Sequence, residues 1–119
     1  MNLDMGAPAL FTPHLVPMKQ GMVVTTVISV KDPEATEERI RNRYQTEPFV
    51  NLLNGTLPES RYVRGTNRID IAFHREENHL ILLSTIDNLW KGASGQAVQN
   101  MNVRFGIPET TGLLYPGDL

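Results

Sequence analysis

The chain has 119 residues, is 40% hydrophobic and 20% charged, carries a net charge of −2 and contains no cysteine. It is sized for one domain with one core and composed like an ordinary globular protein. There is no basic footprint for nucleic acid, and no apolar run approaches the 18 or so residues that cross a bilayer. The missing thiols exclude disulfides, thiolate metal sites and a cysteine nucleophile within this sequence.

The opening stretch, Met1-Asn2-Leu3-Asp4-Met5-Gly6-Ala7-Pro8, has neither the charged start nor the apolar core of a secretory signal. A cytoplasmic location is expected, with residues 1–10 as a flexible lead-in and residues 11–119 as the domain. Over residues 11–18, Pro13 and Pro17 bracket His14, which forbids a regular helix and implies a pinned, extended loop. Residues 22–30 are dominated by Val23, Val24, Thr25, Thr26, Val27, Ile28 and Val30, the composition of a strand. Lys31-Asp32-Pro33 ends it. Thr36 is the expected N-cap of a helix with Glu37 and Glu38 in its first turn, where the helix dipole favours acids. That helix stops before Pro48. Its thin apolar stripe, Ile40 and Tyr44, places it on the surface with Arg39, Arg41 and Arg43 as a solvated face.

Residues 49–53 form a short strand, and Asn54-Gly55-Thr56-Leu57-Pro58 is turn chemistry. Residues 68–74 alternate, with Ile69, Ile71 and Phe73 on one face and Asp70, Ala72 and His74 on the other. Residues 80–86 are apolar on both faces, as a central strand would be. The short link Glu76-Glu77-Asn78 makes these two an antiparallel hairpin, with His74 and His79 solvated beside it and no metal site expected from them. The last helix, residues 93–105, ends at Gly106 with Pro108 beyond. Its heavier residues, Val98, Met101 and Phe105, are expected to face the core. The element order predicts an α+β fold: a mainly antiparallel mixed sheet with helices packed on one face.

The segment Asp87-Asn88-Leu89-Trp90-Lys91-Gly92-Ala93-Ser94-Gly95-Gln96-Ala97-Val98-Gln99-Asn100 joins the central strand to a helix start with little side-chain bulk. Each glycine there costs about 1 kcal/mol of helix stability relative to alanine. Close approach by another backbone or by a flat ligand would justify that cost. Gln96 and Asn100 share a helix face, and a helix N-terminus favours anionic or polar groups. A tight contact within the protein and a ligand surface both fit these residues.

Together with Phe11-Thr12-Pro13-His14-Leu15-Val16-Pro17-Met18 and Val63-Arg64-Gly65-Thr66-Asn67, this segment resembles N-acetyl-gamma-glutamyl-phosphate reductase. The similarity runs from Phe11 to about Leu113, with the three motifs in the family's order, and it corresponds to the C-terminal third of the family's chain. It implies a domain similar to the C-terminal domain of glyceraldehyde-3-phosphate and aspartate-semialdehyde dehydrogenases. In those enzymes the free face of the sheet meets a second subunit. Val23, Val27, Ile81 and Leu83 suit that role, so a homo-oligomer through the sheet face is expected.

The resemblance implies NADPH-dependent reduction of an acyl phosphate by way of a cysteine thiolate, with the nucleotide on a Gly-rich turn. This sequence holds neither, so no catalytic residue is assigned to it and the chain alone is expected to be inactive. An N-terminal dinucleotide-binding portion of the same enzyme is the implied partner, and NADP the cofactor of the complete enzyme. By resemblance, Asn88 reaches the nicotinamide carboxamide, with Gly92, Ala93 and Gln96 on the same cofactor wall. A plain turn or helix cap by Asn88 is the competing account. Arg64, Gly65, Thr66 and Asn67 match the pattern that lies near substrate, where a guanidinium suits a carboxylate or acyl phosphate, and a turn with a surface arginine is the competing account. His14 is assigned beside them, buttressing the site or hydrogen-bonding locally. One departure stands out. The family commonly has Thr-Arg-Gly after the first motif, and this chain has Lys19-Gln20-Gly21, so Gln20 cannot supply an arginine's charge to a bound anion. Lys19 is placed to supply that charge from the neighbouring position, and no change of reaction is implied. The alternative function is a non-catalytic dimerisation or interaction module derived from that domain.

Overall fold

β1, Met22–Ser29, is built largely from β-branched residues and pairs antiparallel with the most apolar segment of the chain, β4, His79–Ile86. The computed structural model describes residues 9–114, so most of the expected lead-in lies outside the described residues. β3, Ile69–Glu76, pairs antiparallel with β4 across a tight turn in which Glu77 takes φ 39°. β2, Val50–Leu52, adds parallel to β3, giving the order β1-β4-β3-β2. The α+β architecture and the hairpin are as the sequence predicts.

Directly paired residues point to the same side of a sheet, so the register sorts the sheet into two faces. One face carries Ile28, Phe73, Arg75, Leu80 and Ile86. α1, Pro33–Tyr44, lies on it: the Arg41 guanidinium stacks 4.5 Å from the Phe73 ring centroid, and Arg75 pairs with Glu34 and Glu37 at 2.9 and 3.1 Å. The opposite face carries Val23, Thr25, Val27, Ala72, Ile81 and Leu83. There Val23 and Val27 remain 53% and 59% exposed. Leu57, from the loop after β2, lines a shallow depression with Thr25, Ala72, Ile81 and Leu83.

Three expectations change. Asp32, not Thr36, caps α1: its Oδ1 accepts the Ala35 N–H at 2.9 Å, and Pro33 occupies the first turn, where its missing N–H costs nothing. Thr36 instead donates its hydroxyl to the Asp32 carbonyl. Arg41 is no solvated charge, since it also bonds Glu37 and the Leu53 carbonyl and so ties helix to sheet. The third change concerns α3, Gly95–Arg104, which comes after the one-turn α2, Ser60–Val63, and directly follows a π-helical turn over Trp90–Ser94. Its buried residues are Gly95 and Asn102, while Met101 and Phe105 stand 47% and 74% exposed. The inner side of this helix is small and polar. Asn102 Nδ2 donates to the Glu109 and Thr111 carbonyls at 3.1 and 3.0 Å, and of the residues expected to face the core Val98 is half-buried while Met101 and Phe105 face outward.

Candidate functional site

Asp87, one residue past β4, is fully buried, a placement that no sequence pattern signals. Its Oδ2 accepts the Gly65 N–H and the Gln20 Nε2 amide, each at 2.6 Å. Its Oδ1 accepts the Leu89 and Trp90 N–H groups at 2.9 and 3.2 Å. The helix start therefore already holds an anion, and that anion belongs to the protein. Burial alone would raise the carboxyl pKa. The N–H groups of Gly65, Leu89, Gln20 and Trp90 outweigh it and hold the group below the ordinary carboxylate range.

The sign of that shift gives a prediction. A carboxyl with a depressed folded pKa contributes stability above its unfolded value, about 3.9, and loses it as pH falls through the folded value. Urea unfolding followed from about pH 7 to about pH 2 should show wild-type stability falling below about pH 4. Asp87→Asn should be less stable at neutral pH and flatter on the acid side. Parallel curves for the two proteins would contradict this account.

Asn88 is half-buried, and its Oδ1 accepts the Gly21 N–H at 2.7 Å. It does not cap the following helix, because Asp87 performs that task. The Nδ2 group is the donor that this contact leaves over. Gln20 faces Asp87, so its amide meets a carboxylate of the protein itself.

The loop at residues 64–67 divides into an outward and an inward part. Arg64 is exposed. Gly65 takes φ +74°, a conformation that costs glycine little, and this aims its N–H at Asp87. Thr66 and Asn67 are buried: Thr66 Oγ1 donates to the Val63 carbonyl at 2.7 Å, and Asn67 Nδ2 donates to Gln99 Oε1 at 2.9 Å. Gln99 also accepts from Lys91 Nζ at 2.7 Å and donates to Glu109 at 2.6 Å, closing a polar network under the helix start. Burial pushes the Lys91 ammonium below its ordinary range, against the pull of Glu109.

The two glycines separate cleanly. Gly95 is buried, and a Cβ there would overlap Asn67 Oδ1 and stand 3.0 Å from the Trp90 carbonyl oxygen. A contact within the protein explains it. Gly92 is exposed, and a Cβ there would meet nothing nearer than Ile86 at 3.5 Å. Ala93 is exposed beside it, and Gln96 donates to Asn100 Oδ1 at 3.0 Å along the outer helix face. His14 lies exposed on the extended segment before β1, with its Nδ1 3.1 Å from the Thr12 carbonyl oxygen. Asp87 thus gathers Gln20, two positions past the 11–18 segment, with Gly65, Leu89 and Trp90, and Arg64 and Asn88 are the chain neighbours of Gly65 and Asp87.

Comparison with known proteins covers most of the chain. The chain is 48% identical over 113 residues to an N-acetyl-gamma-glutamyl-phosphate reductase of Acetivibrio thermocellus, covering 90% of this chain and 33% of that protein. To the enzyme of that name from Halorhodospira halophila it is 50% identical over 115 residues, covering 91% of this chain and 33% of the relative. For Ruthia magnifica the figures are 44% over 105 residues, 87% and 31%. The chain spans about a third of the length of the curated relatives it matches. Residues 4–88 match the family described as semialdehyde dehydrogenase, dimerisation domain, and the chain belongs to that family.

Proposed function

We propose that this chain is the C-terminal part of an N-acetyl-gamma-glutamyl-phosphate reductase, which reduces an N-acetylated glutamyl phosphate to the semialdehyde with NADPH and releases phosphate. The observation that carries the reading is the likeness to reductases of that name over about 90% of this chain, and the assembly around Asp87, which joins the neighbours of Arg64 and Asn88, supports it. NADPH, when bound, supplies the hydride that reduces the acyl carbon. The residues present fit a flat cofactor. Asn88 Nδ2 is a donor suited to a carboxamide oxygen, and Gly92 and Ala93 leave the adjoining surface bare. Gln96 borders that surface. Arg64 takes two oxygens of the substrate carboxylate or acyl phosphate in its planar fork. Gly65, Thr66 and Asn67 shape the loop that presents it, and His14 belongs to the segment leading into β1. The thiolate and the dinucleotide-binding turn belong to the remaining two-thirds of the polypeptide.

That portion is also the proposed cover for the outward stripe of α3, where Met101, Val103 and Phe105 stand 47–74% exposed. A second copy is the proposed cover for the sheet face around Val23 and Val27. The chain alone should show no turnover of N-acetylglutamate semialdehyde with phosphate and NADP above a buffer blank, since it holds no cysteine. Measurable turnover by pure protein would overturn the assignment of roles.

The complete enzyme tests Asn88 directly. Asn88→Ala should weaken NADPH binding by the worth of one or two hydrogen bonds, about 1–3 kcal/mol. Losing the acceptor for Gly21 should also lower stability by about 1 kcal/mol. Fluorescence titration of NADPH against each folded protein separates the two effects. An unchanged dissociation constant alongside a lower melting temperature would leave Asn88 a structural residue only.

A further inference from the structure

We infer that Asp87 is the positioning residue of this site: it binds no ligand itself and fixes the Arg64–Gly65 turn and the Asn88 amide relative to each other through one fully engaged carboxylate. The inference rests on the proposed roles of Arg64 and Asn88.

The geometry excludes a direct chemical role. Each carboxylate oxygen already accepts two N–H groups, and the residue is fully buried, so no lone pair faces a substrate. All four donors are neutral, three from the backbone and one from an amide. The network needs the ionised form, because a protonated oxygen would place an O–H against N–H groups with nothing to accept it. Linkage to the site is immediate in sequence and in space. Gly65 adjoins Arg64, and Asn88 adjoins Asp87. Asn88 Oδ1 grips the Gly21 N–H next to Gln20, so residues 87 and 88 are cross-linked twice to residues 20 and 21. If the carboxylate is lost, the turn and the amide lose their common reference. Catalytic constellations are sensitive to such displacements, and misplacement by about 1 Å is enough to cost on the order of 100-fold in rate.

Hydrogen exchange on this chain tests the structural half. In the wild type the Gly65, Leu89 and Trp90 amides should open as one unit, with protection equal within a few-fold, because one carboxylate holds all three. In Asp87→Asn those amides should lose protection together, while β1 and β4 keep theirs. Independent opening of the three amides in the wild type would overturn the inference, and that arm stands even where the variant fails to fold. Loosening spread evenly over the whole domain would overturn it as well.

The functional half uses the complete enzyme. Asp87→Asn should lower kcat/KM by 10- to 100-fold per folded molecule, with KM rising for both phosphate and NADP. Asp87→Asn combined with Asn88→Ala should weaken NADP binding no more than Asn88→Ala does. Additive losses would show that Asp87 does not act through Asn88. If Asn88→Ala leaves NADP affinity unchanged, the cofactor reading fails, and the hydrogen-exchange arm still decides whether Asp87 organises the two segments.

Discussion

Gly95→Ala should destabilise the domain by about 2 kcal/mol, the middle of the range for forcing a methyl group into packed surroundings. Alanine favours a helix over glycine by about 1 kcal/mol, so intrinsic propensity alone predicts stabilisation. Packing decides against it. A Cβ at Gly95 overlaps Asn67 Oδ1 and crowds the Trp90 carbonyl, which is backbone and cannot swing aside. Asn67 is 1% exposed and bonds Gln99, so its displacement also breaks a buried hydrogen bond. Gly92→Ala is the control, since its nearest neighbour would lie 3.5 Å away in ordinary contact. That variant should keep or slightly raise stability, by up to about 1 kcal/mol. Urea unfolding of the two variants side by side decides the matter, and equal effects would remove the distinction drawn between the glycines.

Val27→Asp should abolish self-association. Val27 lies opposite Ile81 on the sheet face away from α1 and is 59% exposed, so the change leaves the domain's own core intact. In a dimer through that face, two carboxylates would be buried without partners. Such a charge costs several kcal/mol, enough to weaken association by on the order of 100-fold or more. Val24→Asp places the same charge on the same strand but on the opposite face, where Val24 pairs with Ser84. It should leave association unchanged if the proposed face is the right one. Light scattering across a concentration series measures both, and a strictly monomeric wild type would remove the proposed interface.

Much of the fold was legible because it rests on local chemistry. The run of β-branched residues before Lys31 reads as β1, the short link at Glu77 and Asn78 reads as a hairpin, and Gly106 with Pro108 marks the end of α3. The start of α1 was legible too, in Asp32-Pro33-Glu34, an N-cap residue followed by proline in the first turn. The acids after Thr36 drew the reading four residues late. The apolar stripe of α3 misled for a different reason. Periodicity reports that Val98, Met101 and Phe105 favour cover, and it is silent on what supplies that cover. In this domain the inner side of the helix is taken by Gly95 and Asn102.

The sequence by itself determined the fold class, the strands and the family, because each is written in residues close together along the chain. Only the tertiary structure decided what distant segments do to one another. Gln20, Gly65 and Leu89 are separated by up to 69 positions, yet all donate to one buried carboxylate. An aspartate at a strand end reads as a turn residue until its burial is known. The roles of Gly95 and Gly92 parted in the same way. Backbone freedom is the same for both in the sequence, and what stands across from each is set by the folding of the Asn67 loop against the helix.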